Sequence, residues 1–404
     1  MTVPTDAGAA GAAGPSGPSG AAGTADADRY PDVGASDGPL LVVEDLRTAF
    51  RTTRGTVRAV DGVSLSVDRG RTLGVVGESG SGKTVLSRSI MGLLPASDVV
   101  RGGSARFDGE DLVTATPDRL RRIWGAQISM IFQDPMTALN PVTRIGRQIT
   151  ESLRLHLDMD RSTARDAAVE LLRSVGIPSP EQRLRSYPFQ LSGGMRQRVM
   201  IAIALACAPR LMLADEPTTG LDVTVQAQIL DLLADLQQER HMAVILVTHD
   251  LGVVAGRADE IAVMYAGKIV ERAPTRSLFA ETRMPYTRAL MQSIPRLSDP
   301  PGTRLEAIPG RPPQLIDRPP GCAFAPRCPY AQDRCRTEEP PLRSTTSPDH
   351  VFACWYPLVD GRPTGLPGPA AAPTSIPTSA PVAPPVATPV AAPVAAPTTG
   401  ETPR

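Results

Sequence analysis

Two groups of residues in this sequence are of types, and at spacings, that can do chemistry. The first is GESGSGKT, residues 77–84, which satisfies the pattern G-x-x-x-x-G-K-[ST] between an apolar run and a helical one. Glycines let a backbone turn tightly enough for its N–H groups to surround phosphate oxygens. Gly77, Gly80 and Gly82, with Ser79 and Ser81 between them, therefore read as a cradle for a polyphosphate. Lys83 is placed to neutralise the β- and γ-phosphates and the Thr84 hydroxyl to ligate Mg²⁺, while the helix opening at Lys83 adds its positive dipole end. The second group is Asp215 and Glu216, which close the apolar run RLMLAD at 210–215. Asp215 suits the Mg²⁺ shell and Glu216 suits polarising an attacking water. Two acids at a strand end are, alone, as readily solvated surface. Behind a phosphate loop in the same chain they point to hydrolysis of a nucleoside triphosphate.

Such groups need a sheet to hold them. LVVEDLRTAF (41–50) alternates loosely and reads as an edge strand, and AVDGVSLSVD (59–68) as a second strand. TLGVVG (72–77) is short, fully apolar and stops at glycine. A helix is expected from 83 to 94, a strand and turn at SARFDG (104–109), and a strand at ISMIFQ (128–133). From about 142 to 205 the pattern turns helical, as in RDAAVELLRSVGI. RLMLAD (210–215), MAVILVTH (242–249) and EIAVMYAG (260–267) read as three more apolar strands, and VQAQILDLLADLQQE (225–239) as a helix separating the first two. Fully apolar strands alternating with helices imply a parallel sheet covered on both faces, an α/β fold.

Further motifs carry a resemblance. LSGGMRQR (191–198), flanked in order by the phosphate loop and the acid pair, is similar to the signature motif of the ATP-binding cassette (ABC) family. IFQDP (131–135) resembles the family's Q-loop, with Gln133 its glutamine. TTGLD (218–222) resembles its D-loop, ending in Asp222, and VTHD (247–250) its switch region, with His249 as the histidine. Phe50 stands where the family places an aromatic that stacks on adenine. The resemblance covers roughly residues 40–290. It implies a P-loop NTPase (RecA-like) core with an antiparallel β subdomain and a helical signature subdomain at about 140–205. It also implies that Ser192, Gly193 and Gly194, at a helix start, meet the γ-phosphate held by the opposite subunit of a head-to-tail dimer. On that scheme Gln133 touches Mg²⁺ and the water, alongside Thr84 and Asp215. His249 contacts the γ-phosphate. With Lys83, Asp215, Glu216 and His249 all present, the chain is expected to hydrolyse ATP.

A cysteine-bearing segment follows. Cys322, Cys328, Cys335 and Cys354 are spaced C-x5-C-x6-C-x18-C, without the close pairs of a zinc ribbon. Cys207 lies apart, in an expected apolar helix, and reads as packing. The segment resembles the C-terminal extension of ATPases that drive oligopeptide and dipeptide permeases, and MPYTRAL (284–290) resembles the motif that opens it, with Met284 where histidine is commoner. In some members four such cysteines hold a [4Fe–4S] cluster; that cluster, zinc and free thiols all stay open for this chain.

Composition bounds the rest. Lys plus Arg and Asp plus Glu are 42 each, so there is no basic footprint of the kind nucleic-acid binding leaves. No basic residue precedes Arg29 and no apolar core follows the N-terminus, so no signal peptide is expected. The longest uncharged apolar run, 199–209, is too short to span a bilayer, so other chains must do any crossing. Cysteines without an export signal suggest a reducing compartment. Residues 1–38 and 359–404 are Ala-, Pro-, Gly- and Thr-rich and are expected to be disordered. The expected organisation is thus a cassette at 39–290 and an extension at 291–358 between two tails.

The resemblance implies an ATPase subunit on the cytoplasmic face of a membrane, powering a peptide importer. Its partners would be a second identical or homologous ATPase, two permease subunits and an extracytoplasmic substrate-binding protein, with no nucleic acid. Relatives with the same extension carry nickel or other small solutes, so peptide enters by analogy. Two other classes compete. A soluble cassette ATPase acting on DNA or ribosomes would carry two cassettes, coiled coils or a basic surplus, and this chain shows none. A non-catalytic cassette would not need intact Glu216 and His249.

Overall fold

The computed structural model describes residues 38–364 apart from 96, 295–306 and 317. The disordered tails expected over 1–38 and 359–404 therefore lie almost wholly outside the described residues. At the inner end of the second, Leu358–Val359 pairs with Arg362–Pro363, so regular backbone continues past the boundary expected at 359.

In chain order the amino-terminal elements are β1 (Leu41–Thr52), β2 (Gly55–Val67), β3 (Thr72–Val76), α1 (Lys83–Met91), β4 (Val99–Phe107), β5 (Glu110–Asp111), α2 (Pro117–Ile123) and β6 (Ile128–Ile131). The helical stretch comprises α3 (Pro135–Ala138), α4 (Ile145–Leu157), α5 (Arg161–Ser174), α6 (Pro180–Arg183) and α7 (Gly193–Ala204). Then come β7 (Leu211–Asp215), α8 (Val223–Glu239), β8 (Ala243–Thr248), α9 (Leu251–Ala255), β9 (Glu260–Tyr265), β10 (Lys268–Pro274), α10 (Thr275–Ala280) and α11 (Pro285–Gln292). The cysteine-bearing segment adds α12 (Asp333–Thr337), β11 (Arg343–Ser344) and β12 (Val351–Phe352).

Two sheets result. One is antiparallel, in the order β2-β1-β4-β5; the other runs β11-β12-β10-β9-β3-β8-β7-β6, with β9, β3, β8, β7 and β6 parallel and the β10 side antiparallel. The sequence expectation for 41–50 fails on one point. β1 is not an edge strand, because it pairs with β2 on one side and β4 on the other. Every residue of β3, β7 and β8 is buried, and their side chains alternate between two cores. Leu73, Val75, Leu213 and Ile245 join Leu86 and Ile90 of α1 and Val43, Val63 and Leu65 of the antiparallel sheet. Val76, Met212, Ala214, Val244 and Leu246 join the helical side, with Ile149, Leu172, Val199 and Ile229. Being covered on both faces removes any need for polar positions along these strands.

The long helical stretch breaks where side chains cap it. Asp158 takes a left-handed conformation at φ 49, ending α4, and the Asp160 carboxylate accepts from Ser162 N at 2.8 Å and Thr163 N at 3.1 Å to start α5. The hydroxyl of Ser162, with that of Thr163, holds the Asp160 carboxyl well below the usual carboxylate range. Cys207 lies in the turn after α7 rather than in the helix expected there. It is nonetheless buried, as a packing residue should be.

The last segment is tied to the sheet by a buried acid. Glu271, on β10, is fully buried and accepts from Arg283 N at 2.6 Å and Met284 N at 3.1 Å, while His350 Nε2 lies 2.9 Å from its Oε1. Glu271→Ala would strand two backbone donors and a buried imidazole. It should lower unfolding free energy by roughly 3–5 kcal/mol, read as a fall in denaturation midpoint with unchanged slope. Glu271→Gln, which keeps an acceptor, should cost less. Equal midpoints for wild type and Glu271→Ala would contradict this.

Candidate functional site

The parallel strands β3, β8, β7 and β6 are neighbours, and the phosphate loop, His249, Asp215, Glu216 and Gln133 stand at their carboxyl ends, where α/β sheets bind ligands. The loop after β3 is shaped by two close approaches. A Cβ at Gly77 would meet the Met264 carbonyl oxygen at 2.1 Å, and one at Gly82 (φ +106) would meet the Ala59 carbonyl oxygen at 2.2 Å. No side chain caps α1 at Gly82, so its opening N–H groups are left to a ligand. Ser81 Oγ is buried with no hydrogen-bond partner, a further donor in the same cradle. Ser79 and Gly80 stand at its exposed rim. These features fit a phosphate chain.

Lys83 Nζ donates to Gly77 O at 2.8 Å and Glu78 O at 3.0 Å, and lies 3.9 Å from Glu216 Oε1. Burial pulls its pKa down, opposed by the charges of Glu216, Asp215 and Glu78. Thr84 Oγ1 donates to Asp215 Oδ1 at 3.1 Å. Burial pushes the Asp215 carboxyl up, and the Thr84 bond works against it. A buried carboxylate beside a hydroxyl is a hard-oxygen pair of the kind Mg²⁺ takes.

Glu216 is the hub. Its backbone is left-handed at φ 46, an uncommon conformation for a non-glycine residue, and its N–H donates to Val247 O at 2.9 Å. That turn directs the carboxylate among the other groups. Oε2 accepts from Gln133 Nε2 at 2.9 Å and Thr219 Oγ1 at 3.0 Å; Oε1 lies 3.4 Å from His249 Nδ1. The Glu216 side chain is 13% exposed and that of His249 62%, so the histidine forms the open wall. Thr219, within TTGLD, joins this group with no sequence signal beyond its spacing of three from Glu216.

The signature residues stand elsewhere. Ser192 caps α7, accepting from Met195 N at 3.3 Å, and Ser192 and Gly193 are exposed. A Cβ on Gly194 would meet Val225 of α8 at 2.8 Å, and one on Gly193 would touch Leu221 at 3.5 Å. Asp222 caps α8, accepting from Val225 N at 3.0 Å. Among the described residues no hydrogen bond joins Ser192, Gly193 or Gly194 to the phosphate loop. Phe50 is half-buried on β1, opposite Val57 and Val99.

Cys322, Cys328, Cys335 and Cys354 all line one cavity of about 20 Å³, with Phe324 and Trp355 in its wall. Their donor chemistry suits a soft metal centre. The space as it stands holds little more than a water, and among the described residues no three His, Cys, Asp or Glu side chains are grouped to hold an ion. Burial pushes the Cys328 thiol up to about 11 and the Cys354 thiol up to about 12. Among the described residues no helix is long and apolar enough to cross a membrane.

Comparison with known proteins gives the family. The ABC transporter family profile matches residues 60–219, and that of the oligopeptide/dipeptide transporter C-terminal region matches 270–335. The chain is 50% identical over 326 residues to the dipeptide transport ATP-binding protein DppD of Escherichia coli, covering 80% of this chain and 99% of that one. It is 48% identical to the oligopeptide transport ATP-binding protein OppD of the same organism, over 79% and 94% of the two chains. Among solved structures, the cassette MJ0796 in a dimeric post-hydrolysis state with ADP and Pi superposes with TM-score 0.53 at 27% identity, covering 58% of this chain and 99% of that one.

Proposed function

The chain belongs to the ABC transporter ATP-binding subunits of the oligopeptide/dipeptide type, and from that premise we propose how its own residues do the work. It binds and hydrolyses ATP to power peptide transport. The observation that carries the residue assignment is the Glu216 carboxylate, with Lys83, Gln133, His249 and Thr219 all within 3.9 Å of it. Gly77, Ser79, Gly80, Ser81, Gly82, Lys83 and Thr84 hold the phosphates, and Phe50 the adenine. Thr84, Asp215 and Gln133 hold Mg²⁺, which supplies charge neutralisation between phosphate oxygens when bound. Glu216 orients and polarises the attacking water, and His249 fixes the γ-phosphate. Attack of that water on the γ-phosphorus would form a new P–O bond as the bond bridging to the β-phosphate breaks, leaving ADP and inorganic phosphate, with the water's proton passing toward Glu216.

The Ser192–Gly193–Gly194 face, exposed at Ser192 and Gly193, together with Asp222, fits the γ-phosphate held by a second ATPase subunit. Two ATP molecules then sit between two chains and hydrolysis releases the clamp. Two permease subunits and an extracytoplasmic binding protein complete the importer, with this chain on the cytoplasmic face. A tagged chain purified from membranes in mild detergent should bring down a second ATPase and two permeases. Recovery with ribosomes or DNA instead would contradict this assembly.

We further propose that the four cysteines of the extension are the seat of an iron–sulfur centre. Support comes from their convergence on one cavity although 32 positions separate the first from the last; the cavity must widen to admit it. Anaerobically purified full-length chain should contain about four iron atoms per subunit and be brown, and Cys328→Ser should lose both. Zinc in place of iron, or metal-free colourless protein, would remove the proposal.

A further inference from the structure

Arg327 sits in the cysteine-bearing segment, beside Cys328, yet its side chain ends in the phosphate loop. Nη1 lies 2.5 Å from Glu78 Oε2 and Nη2 2.9 Å from Glu78 Oε1, a bidentate pair. The Arg327 side chain is 4% exposed and that of Glu78 24%. The remaining donors are used locally: Nε bonds Pro309 O at 2.8 Å, Nη2 reaches Ile308 O at 3.3 Å and Nη1 reaches Tyr265 Oη at 3.3 Å. Glu78 is held from a second direction too, its N–H donating to Tyr286 Oη at 2.9 Å. Tyr286 packs against Tyr265 and Phe324 at ring separations of 4.5 and 5.3 Å, so the anchor is stiff. The Glu78 carbonyl in turn accepts from Lys83 Nζ.

A carboxylate is an awkward group in a loop that must gather the negative charge of a triphosphate. Unpaired, Glu78 would repel the phosphates and compete with them for Lys83, in a site where burial weakens screening. We propose that Arg327 is a positioning residue for the phosphate loop: it neutralises and fixes Glu78, so that the loop and Lys83 are presented to ATP rather than to the protein's own carboxylate. The inference rests on Gly77–Thr84 being the nucleotide loop, as read above. It makes the cysteine-bearing extension part of the machinery for ATP affinity.

The test is MgATP binding and hydrolysis by the full-length chain. Arg327→Met should weaken ATP affinity and raise KM by about tenfold, with the smaller effect on kcat. In a Glu78→Gln background the same substitution should shift affinity by less than about twofold, because the charge that Arg327 cancels is gone. A purely structural arginine, serving Pro309 and Ile308, would give no such rescue. If Arg327→Met does not fold, Arg327→Gln carries the same comparison, since it removes the charge but keeps a polar donor for the Pro309 and Ile308 carbonyls. Unchanged affinity in Arg327→Met, or a loss that persists undiminished beside Glu78→Gln, would overturn the proposal. Wild-type affinity in Lys83→Met would sink the loop assignment itself, which separates the two failures.

Discussion

Replacing Glu216 with glutamine should slow ATP turnover by the assembled transporter about 10²–10³-fold while ATP stays bound. The substitution is nearly isosteric. It keeps an acceptor for Gln133 and Thr219, which lie 2.9 and 3.0 Å from Oε2 in the native chain. It keeps the left-handed turn at φ 46 that places the side chain. What it removes is the negative charge that accepts the attacking water's proton and that faces Lys83 and His249. Binding depends on the glycine loop and Lys83, so it should survive, and the nucleotide-bound pair of ATPase subunits should outlast its wild-type lifetime. Phosphate release over time checks the first part, and size-exclusion chromatography in MgATP checks the second. Unchanged turnover would take Glu216 out of the reaction.

A single methyl group at Gly77 should weaken nucleotide binding by roughly 100-fold or more. In Gly77→Ala the added Cβ would lie 2.1 Å from the Met264 carbonyl oxygen. That oxygen belongs to β9, a buried strand paired on both sides, so it cannot retreat as a surface side chain could. The loop must move instead, and with it the Gly77 carbonyl that accepts from Lys83. Gly80 makes the comparison. At φ +80 it meets nothing within 4 Å, so Gly80→Ala faces only the left-handed backbone penalty, about 1–2 kcal/mol. Titration calorimetry with a non-hydrolysed ATP analogue should rank Gly77→Ala far below Gly80→Ala. The reverse order would mean that the loop is shaped by backbone conformation and not by its contact with β9.

Much of this site could be read before any coordinates, because the relevant chemistry is local. Lys83 and Thr84 follow the glycines at fixed spacing, and Asp215 and Glu216 follow a fully apolar strand. Gln133 and His249 were legible only through resemblance, since a glutamine or an exposed histidine carries no signal by itself; their convergence on Glu216 depends on the order β3-β8-β7-β6. That order is a long-range property. For the same reason β1 passed as an edge strand, as alternation tells which face is buried and not how many neighbours a strand has. β10 is not among the expected strands: it carries Glu271 and Arg272, and the burial of that acid depends on Arg283, Met284 and His350, none of which its own segment contains. Arg327 carried no signal, and Tyr286 stood only inside MPYTRAL, with no contact to Glu78 legible there. Both work on Glu78 from more than 200 positions away. The convergence of the four cysteines likewise could not be read from spacing that lacks close pairs.

This chain couples ATP hydrolysis to peptide movement, so a labelled dipeptide should be taken up by proteoliposomes that contain it together with the permeases, second ATPase and binding protein proposed above. Accumulation should require ATP on the cassette side, stop with Glu216→Gln, and scale with phosphate released. Hydrolysis that proceeds with no peptide accumulating, for any dipeptide or oligopeptide supplied, would rule out peptide transport by this chain.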